Sequence, residues 1–435
     1  MQAEPSWTEA LGHLWRPYTQ ALTAPPPLRV ASAEGVRLRL ADGRELVDGV
    51  SSWWTAAHGY NHPHIRAALA EQLEVLPHVM LGGLVHEPAV RLAARLARLL
   101  PGDLDHVFFS ESGSVSVEIA MKMAVQYWVN RGLPGRRRFL SFRGGYHGDT
   151  FAAMSVCDPD EGMHRLFRGV MPEQVLADLP RDEASRAALA RTLDRHRHEL
   201  AAVIVEPLVQ GAGGMRFHAP DTLRAVADLC REAGALLILD EIMTGFGRTG
   251  TLFACERAGV VPDIVTLSKA LTGGTLPLAA TIARAHVHDA FLSERPEAAL
   301  MHGPTYMGNP LACAAANASL DLFAREPRLA QVAAIEAGLR AGLEPCRGLP
   351  GVVDVRTLGA LGVVQLDRSG EAEWFKPRLL ERGVWVRPFG DIVYLAPPFV
   401  IGAEDLARLT RAVTEVVRLW SRERAGAGAA DPAAA

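Results

Sequence analysis

No apolar run in the chain approaches the roughly 18 residues that a bilayer-spanning helix needs, so a membrane-spanning protein is not expected. Cysteine is sparse: Cys157, Cys230, Cys255, Cys313 and Cys346 are scattered and never form a C-x-x-C pair. That argues against a disulfide framework and for reduced thiols in a cytoplasmic protein. An excess of one charge is also missing, with 45 Lys and Arg against 49 Asp and Glu. Such a balance points to neither nucleic acid nor an anionic membrane as partner. The opening MQAEPSWTEA has no basic region followed by an apolar one, so a secretory signal is not expected. No repeat is visible, and only the closing AGAGAADPAAA is of low complexity.

What is present is alternation. HVFFS (106–110), RRFLSF (137–142), AAVIVEP (201–207), ALLILDE (235–241) and DIVTLSK (263–269) read as strands. Between them lie helical stretches such as VSVEIAMKMAVQYWVN, and APDTLRAVADLCREAG with Pro and Asp at its start and Gly234 at its end. Strands separated by helices predict an α/β fold with a mostly parallel sheet. Nearly continuous apolar runs suit strands covered on both faces. After about residue 325 a long amphipathic helix and the segments VVDVRTLGALGVVQL, VWVRP and IVYLAPP suggest a smaller α+β unit. VRLRLADGRELVDGV, a hairpin around its DG, is expected to join that unit. The expected division is therefore an N-terminal segment 1–55 joining the small domain, a large domain 56–325, the small domain 326–425 and a disordered tail 426–435.

GFGRTG (245–250) matches G-x-G-x-x-G, the dinucleotide fingerprint. Its context does not fit. DEIMT separates the strand from the first glycine, Gly259 and Pro262 break the segment that should be a crossover helix, and Asp263 begins a strand instead of ending one. The chemistry lies at the flanks. Asp240 ends one apolar strand and Lys269 ends the next, which is compatible with a buried ion pair. From these two residues alone the ion pair is the favoured reading; the other is a lysine that forms a Schiff base and a carboxylate that holds a pyridine nitrogen protonated. SESGSVSVEIAMKMA adds a strand, then Ser112-Gly113-Ser114, then a helix whose N-terminus could face a phosphate. The three features converge on one site, of the kind that pyridoxal phosphate needs.

LDEIMTGFGRTGTLFA followed by PDIVTLSKALTGG resembles the signature of the class III, fold-type-I pyridoxal-phosphate aminotransferases. WRPYTQ (15–20), DGVSSWWTAAHGYNHP (48–63), GGYHGDTFAAMSVCDP (144–159) and HGPTYMGNPLACAAA (302–316) are similar to the biotin-pathway branch of that family. The resemblance implies that Lys269 carries the cofactor and shuttles the proton, and that Asp240 pairs with its ring nitrogen. It implies cofactor contacts at Gly113, Ser114, Tyr146, Glu206, Pro304 and Thr305. Thr305 is expected to serve the partner subunit's cofactor in a homodimer with shared sites. Tyr18 joins Lys269 and Asp240 as a catalytic candidate. Substrate contacts are expected from Tyr18, Trp53, Trp54, Tyr146, Asp149, Arg248, Gly303 and Arg387. Aromatic faces and a carboxylate would favour a sulfonium donor such as S-adenosylmethionine. Arg387 or Arg248 would take the carboxylate of the long-tailed acceptor 8-amino-7-oxononanoate. The rival readings are another class III aminotransferase acting on ornithine, 4-aminobutyrate or a diamine, and an aminomutase or decarboxylase on the same fold.

His58, His62 and His64 in HGYNHPH fit no common zinc spacing and read as loop histidines, and no metal is expected.

Overall fold

The computed structural model describes residues 6–160 and 162–429. A seven-stranded sheet runs in the order Leu104–Ser110, Ala279–Arg284, Ile264–Leu267, Leu236–Asp240, Leu200–Val205, Arg138–Phe142, Val175–Ala177. Ala279–Arg284 is antiparallel to both neighbours, while the other pairings are parallel. Every residue of Leu200–Val205 and of Leu236–Asp240 is buried, as strands covered on both faces should be. Two strands, Ala279–Arg284 and Val175–Ala177, were not anticipated by the sequence reading.

The connecting helices follow their own local signals. Pro220–Ala233 starts on a proline and stops at Gly234, whose φ of 64° is the left-handed stop that glycine takes at little cost. Gly113–Asn130 begins at Ser112, whose side chain accepts the Val115 N–H.

Residues from both ends of the chain build a second sheet. Arg37–Leu40 and Glu45–Asp48 form the expected hairpin, and Val384–Trp385 adds in parallel with Val384 opposite Val47. Val352–Leu358, Leu361–Leu366 and Ile392–Leu395 make a three-stranded antiparallel sheet. The helix Arg328–Leu343 and the last helix, Ala403–Ala429, pack against each other beside it. Residues 426–429 of the expected tail continue that last helix, and 430–435 lie outside the described residues. No helix among the described residues is long and apolar enough to cross a membrane.

Candidate active site

Strand ends and one helix start meet at the carboxyl edge of the large sheet, where open α/β sheets bind ligands. They line a cavity of about 370 Å³ that holds Lys269, Asp240, Glu206, Tyr146, Gly113 and Ser114 together. Asp240 is buried, with Oδ2 2.7 Å from Nδ1 of the equally buried His147. Its Oδ1 accepts from the Ile242 N–H at 3.1 Å and the Thr266 hydroxyl at 3.3 Å. Lys269 lies two residues past Ile264–Leu267, after Ser268, and has a φ of +29°. Burial pulls its amine below lysine's usual pKa, against the opposing pull of Asp240 and Glu206.

Glu206 accepts the Tyr146 N–H at 3.0 Å and the Gly211 N–H at 2.8 Å. Burial, reinforced by Asp240, nevertheless pushes its carboxyl up to about 7. The N-terminus of Gly113–Asn130 opens onto the same cavity, and Ser114 Oγ lies 2.8 Å from the Thr150 hydroxyl. Gly148 makes this contact possible: a Cβ there would stand 2.3 Å from Ser114 Oγ.

A second chamber of about 400 Å³ shares Trp54, Tyr146 and Lys269 with the first and adds Tyr18, Trp53 and Arg387. The Arg387 guanidinium lies 4.4 Å from the Trp53 ring centre, and the Lys269 amine 5.1 Å from that of Trp54. Asp149 accepts hydrogen bonds from the Tyr18 hydroxyl and, at 3.0 Å, from the Tyr146 hydroxyl. His164 Nε2 sits 3.2 Å from Asp149 and, as its strongest influence, holds that carboxyl below its usual range. Desolvation and Asp149 push the Tyr18 phenol up to about 12.

Some expected residues are elsewhere. Arg248 lines neither chamber. It is 1% exposed and gives its guanidinium to Pro397 O at 2.8 Å, Ala360 O at 3.4 Å and Ser51 Oγ at 3.5 Å, over the Phe399 ring. Its nitrogens therefore face main-chain oxygens, while Arg387 lies on the wall of the second chamber. Gly303, Pro304 and Thr305 also lie outside both chambers, with Gly303 and Thr305 exposed. His58 and His64 are engaged by Ser319 and Asp321, and His62 accepts the His64 N–H. His147 and Thr150 stand in the GGYHGDT block but carry no signal of their own in the sequence, because their partners Asp240 and Ser114 are distant in the chain.

An amine, a buried carboxylate–histidine pair and a helix N-terminus in one cavity fit pyridoxal phosphate: aldehyde, ring nitrogen and phosphate each meet a matching group. The sequence profile of the class-III aminotransferases matches residues 18–417, and the chain belongs to that family. It is a pyridoxal-phosphate-dependent aminotransferase. The chain is 51% identical over 416 residues to the adenosylmethionine-8-amino-7-oxononanoate aminotransferase of Mycobacterium leprae, covering 94% of this chain and 95% of that one. It is 46% identical to the protein of the same name from Corynebacterium glutamicum, covering 93% and 97%. Among solved structures, the enzyme of that name from Methanocaldococcus jannaschii superposes with a TM-score of 0.88 at 34% identity, covering 94% and 97%. An amine transaminase from an uncultivated Pseudomonas species, in its pyridoxal-phosphate-bound form, superposes with a TM-score of 0.87 at 32% identity, covering 94% and 99%.

Proposed function

We propose that the protein transfers the amino group of S-adenosylmethionine to 8-amino-7-oxononanoate, giving 7,8-diaminononanoate for biotin synthesis. The observation that carries this reading is the chamber wall beside Lys269, where Arg387 lies on Trp53 with Trp54 and Tyr18 at hand. Such a wall suits a carboxylate at the end of a long apolar tail. The names of the relatives from Mycobacterium leprae and Corynebacterium glutamicum support the same substrate pair.

When bound, pyridoxal phosphate supplies the aldehyde that accepts the amino group and the ring that takes up electrons. Asp240, oriented by His147, would hold the ring nitrogen protonated. Gly113 and Ser114 would hold the phosphate, and Tyr146 and Glu206, which line the same cavity, would help hold the ring. Lys269 Nζ removes the proton from the donor's α-carbon and later delivers one to the acceptor carbon. Asp149, between Tyr18 and Tyr146, offers negative charge to the sulfonium of the donor.

The same reading makes the protein a cytoplasmic homodimer with shared sites. Gly303, Pro304 and Thr305 sit beside the exposed Met301 and Tyr306, and Thr305 would reach the cofactor phosphate of the partner subunit. The test is spectrophotometric. Holoenzyme mixed separately with S-adenosylmethionine, lysine and 4-aminobutyrate should lose its visible cofactor band with the first, and 8-amino-7-oxononanoate should restore it. Bleaching by lysine alone would reassign the donor. Bleaching by 4-aminobutyrate, without recovery on adding the acceptor, would replace this reading with another ω-amine activity.

A further inference from the structure

Ser51, Ser52, Trp53 and Trp54 are four consecutive non-glycine residues with positive φ, at 48°, 49°, 60° and 71°. Left-handed backbone crowds the Cβ of an L-residue against the following carbonyl, so such residues adopt it singly and not in runs. Here the run closes a left-handed turn: Trp54 N–H donates to Val50 O at 2.9 Å and Thr55 N–H to Ser51 O at 2.8 Å. Strain of this kind persists only where the surroundings over-determine it, and it gathers at functional sites.

The surroundings are specific. Asp48, wholly buried at the end of Glu45–Asp48, accepts the Val50 N–H on Oδ1 at 2.8 Å. Its Oδ2 accepts the Ser52 N–H at 3.0 Å and the Tyr60 hydroxyl at 2.6 Å. Tyr60 is itself fixed by paired main-chain bonds with Gly35. Ser51 Oγ donates to Ala396 O at 2.7 Å, just past the strand Ile392–Leu395. On an extended strand, adjacent side chains would point to opposite faces. The left-handed turn instead brings both tryptophans to one chamber, Trp53 under Arg387 and Trp54 beside the Lys269 amine.

We propose that Asp48 is a positioning residue for acceptor specificity: by capping the left-handed turn it holds Trp53 and Trp54 where they read the substrate's apolar tail. This rests on the long-tailed acceptor assigned above. Asp48 is remote in chemistry from the transfer itself, so its removal should alter tail recognition and leave the proton transfers at Lys269 in place.

Wild type, Asp48→Asn, Ser52→Gly and the double variant would be compared as holoenzymes, matched by visible spectrum and melting temperature. Each would be assayed with 8-amino-7-oxononanoate and with a homologue shortened in the tail. In Asp48→Asn, KM for the long acceptor should rise about tenfold or more with kcat nearly kept, and the preference for the long tail should shrink equally, because small misplacements are costly in a shaped site. Glycine adopts positive φ freely, so Ser52→Gly added to Asp48→Asn should recover much of the lost preference. A crystal structure of Asp48→Asn should show φ at 51–54 leaving the positive region. A folded, cofactor-loaded Asp48→Asn with the wild-type ratio of the two KM values would overturn the proposal, as would equal losses on both acceptors. If Asp48→Asn fails to fold, Tyr60→Phe removes one donor to the same carboxylate and should give a milder shift of about threefold in that ratio; an unchanged ratio in that variant would likewise overturn it. Should wild type refuse the long acceptor, the functional assignment fails while the φ angles of the variant still test the capping.

Discussion

At the residue scale, the proposed chemistry depends on Lys269, one of only three lysines in 435 residues, with Lys122 and Lys376. Burial lowers its pKa, which brings a free amine nearer the neutral range in which a general base works best. Lys269→Ala should therefore lower turnover by about 10³-fold or more. Asp240 and the start of Gly113–Asn130 remain, so cofactor should still bind, without its protein-linked visible band; equilibrium dialysis and absorption spectra read both outcomes. Glu206 carries a pH dependence. Its carboxyl is raised to about 7 in the folded protein, so between about 4.3 and 7 the fold holds a proton that the unfolded chain releases. The resulting stability is whole below the lower value and is lost as pH rises through the upper one. In the cofactor-free protein, Glu206→Gln should flatten the decline in stability between pH 5 and 8 by an amount on the order of 3 kcal/mol. An unaltered slope in urea melts across that range would refute it. Asp240 and Lys269 were legible in the sequence because Asp240 ends one apolar strand and Lys269 comes two residues after the next. His147 was not, since what gives it meaning is a carboxylate 93 residues further along.

At the scale of elements, the contact that matters is between the 144–150 loop and the first turn of Gly113–Asn130. Gly148 has a φ of +127°, and a Cβ there would lie 2.3 Å from Ser114 Oγ and 2.8 Å from its Cα. Gly148→Ala must push the loop off the helix start, which also carries the Ser114–Thr150–Glu118 hydrogen bonds. We expect cofactor affinity to fall about tenfold or more, following a misplacement of phosphate donors by a fraction of an ångström. Cofactor titration by fluorescence quenching checks it, and wild-type affinity would show that the loop can yield. The same scale shows why some elements were readable. Leu200–Val205 and Leu236–Asp240 are apolar, branched and covered on both faces. Ala279–Arg284 is half alanine, a weak strand former, and becomes a strand because Ile264–Leu267 and Leu104–Ser110 pair with it from either side. Val175–Ala177 is three residues at the sheet's edge, too short to leave a period in the sequence. The left-handed run at 51–54 was equally invisible, for nothing in SSWW marks it and Asp48 declares its role only through the fold.

In the whole molecule, the site draws on distant parts of the chain. Lys269 and Asp240 come from the large sheet, whereas Trp53 follows Glu45–Asp48 and Arg387 follows Val384–Trp385, strands that pair with each other. Sequence order gave no sign of that pairing, because a two-residue strand has no pattern of its own. Thr305 extends the same logic beyond one chain. It is exposed and outside both chambers, so the proposed contact with a cofactor phosphate would come from a second copy, and a two-fold dimer would supply two equivalent sites. This can be tested by complementation. Lys269→Ala inactivates a site through its own chain. Thr305→Glu should inactivate the partner's site, by setting a carboxylate against the cofactor phosphate. Each variant alone should be nearly inactive. In a mixed dimer with shared sites, one site collects both defects and the other collects neither. Half the dimers formed at random are mixed and each would hold one intact site, so the co-expressed pair should regain about a quarter of wild-type activity. If Thr305 served only its own chain, mixed dimers would contain one defect in each site and activity would stay at the background of the single variants.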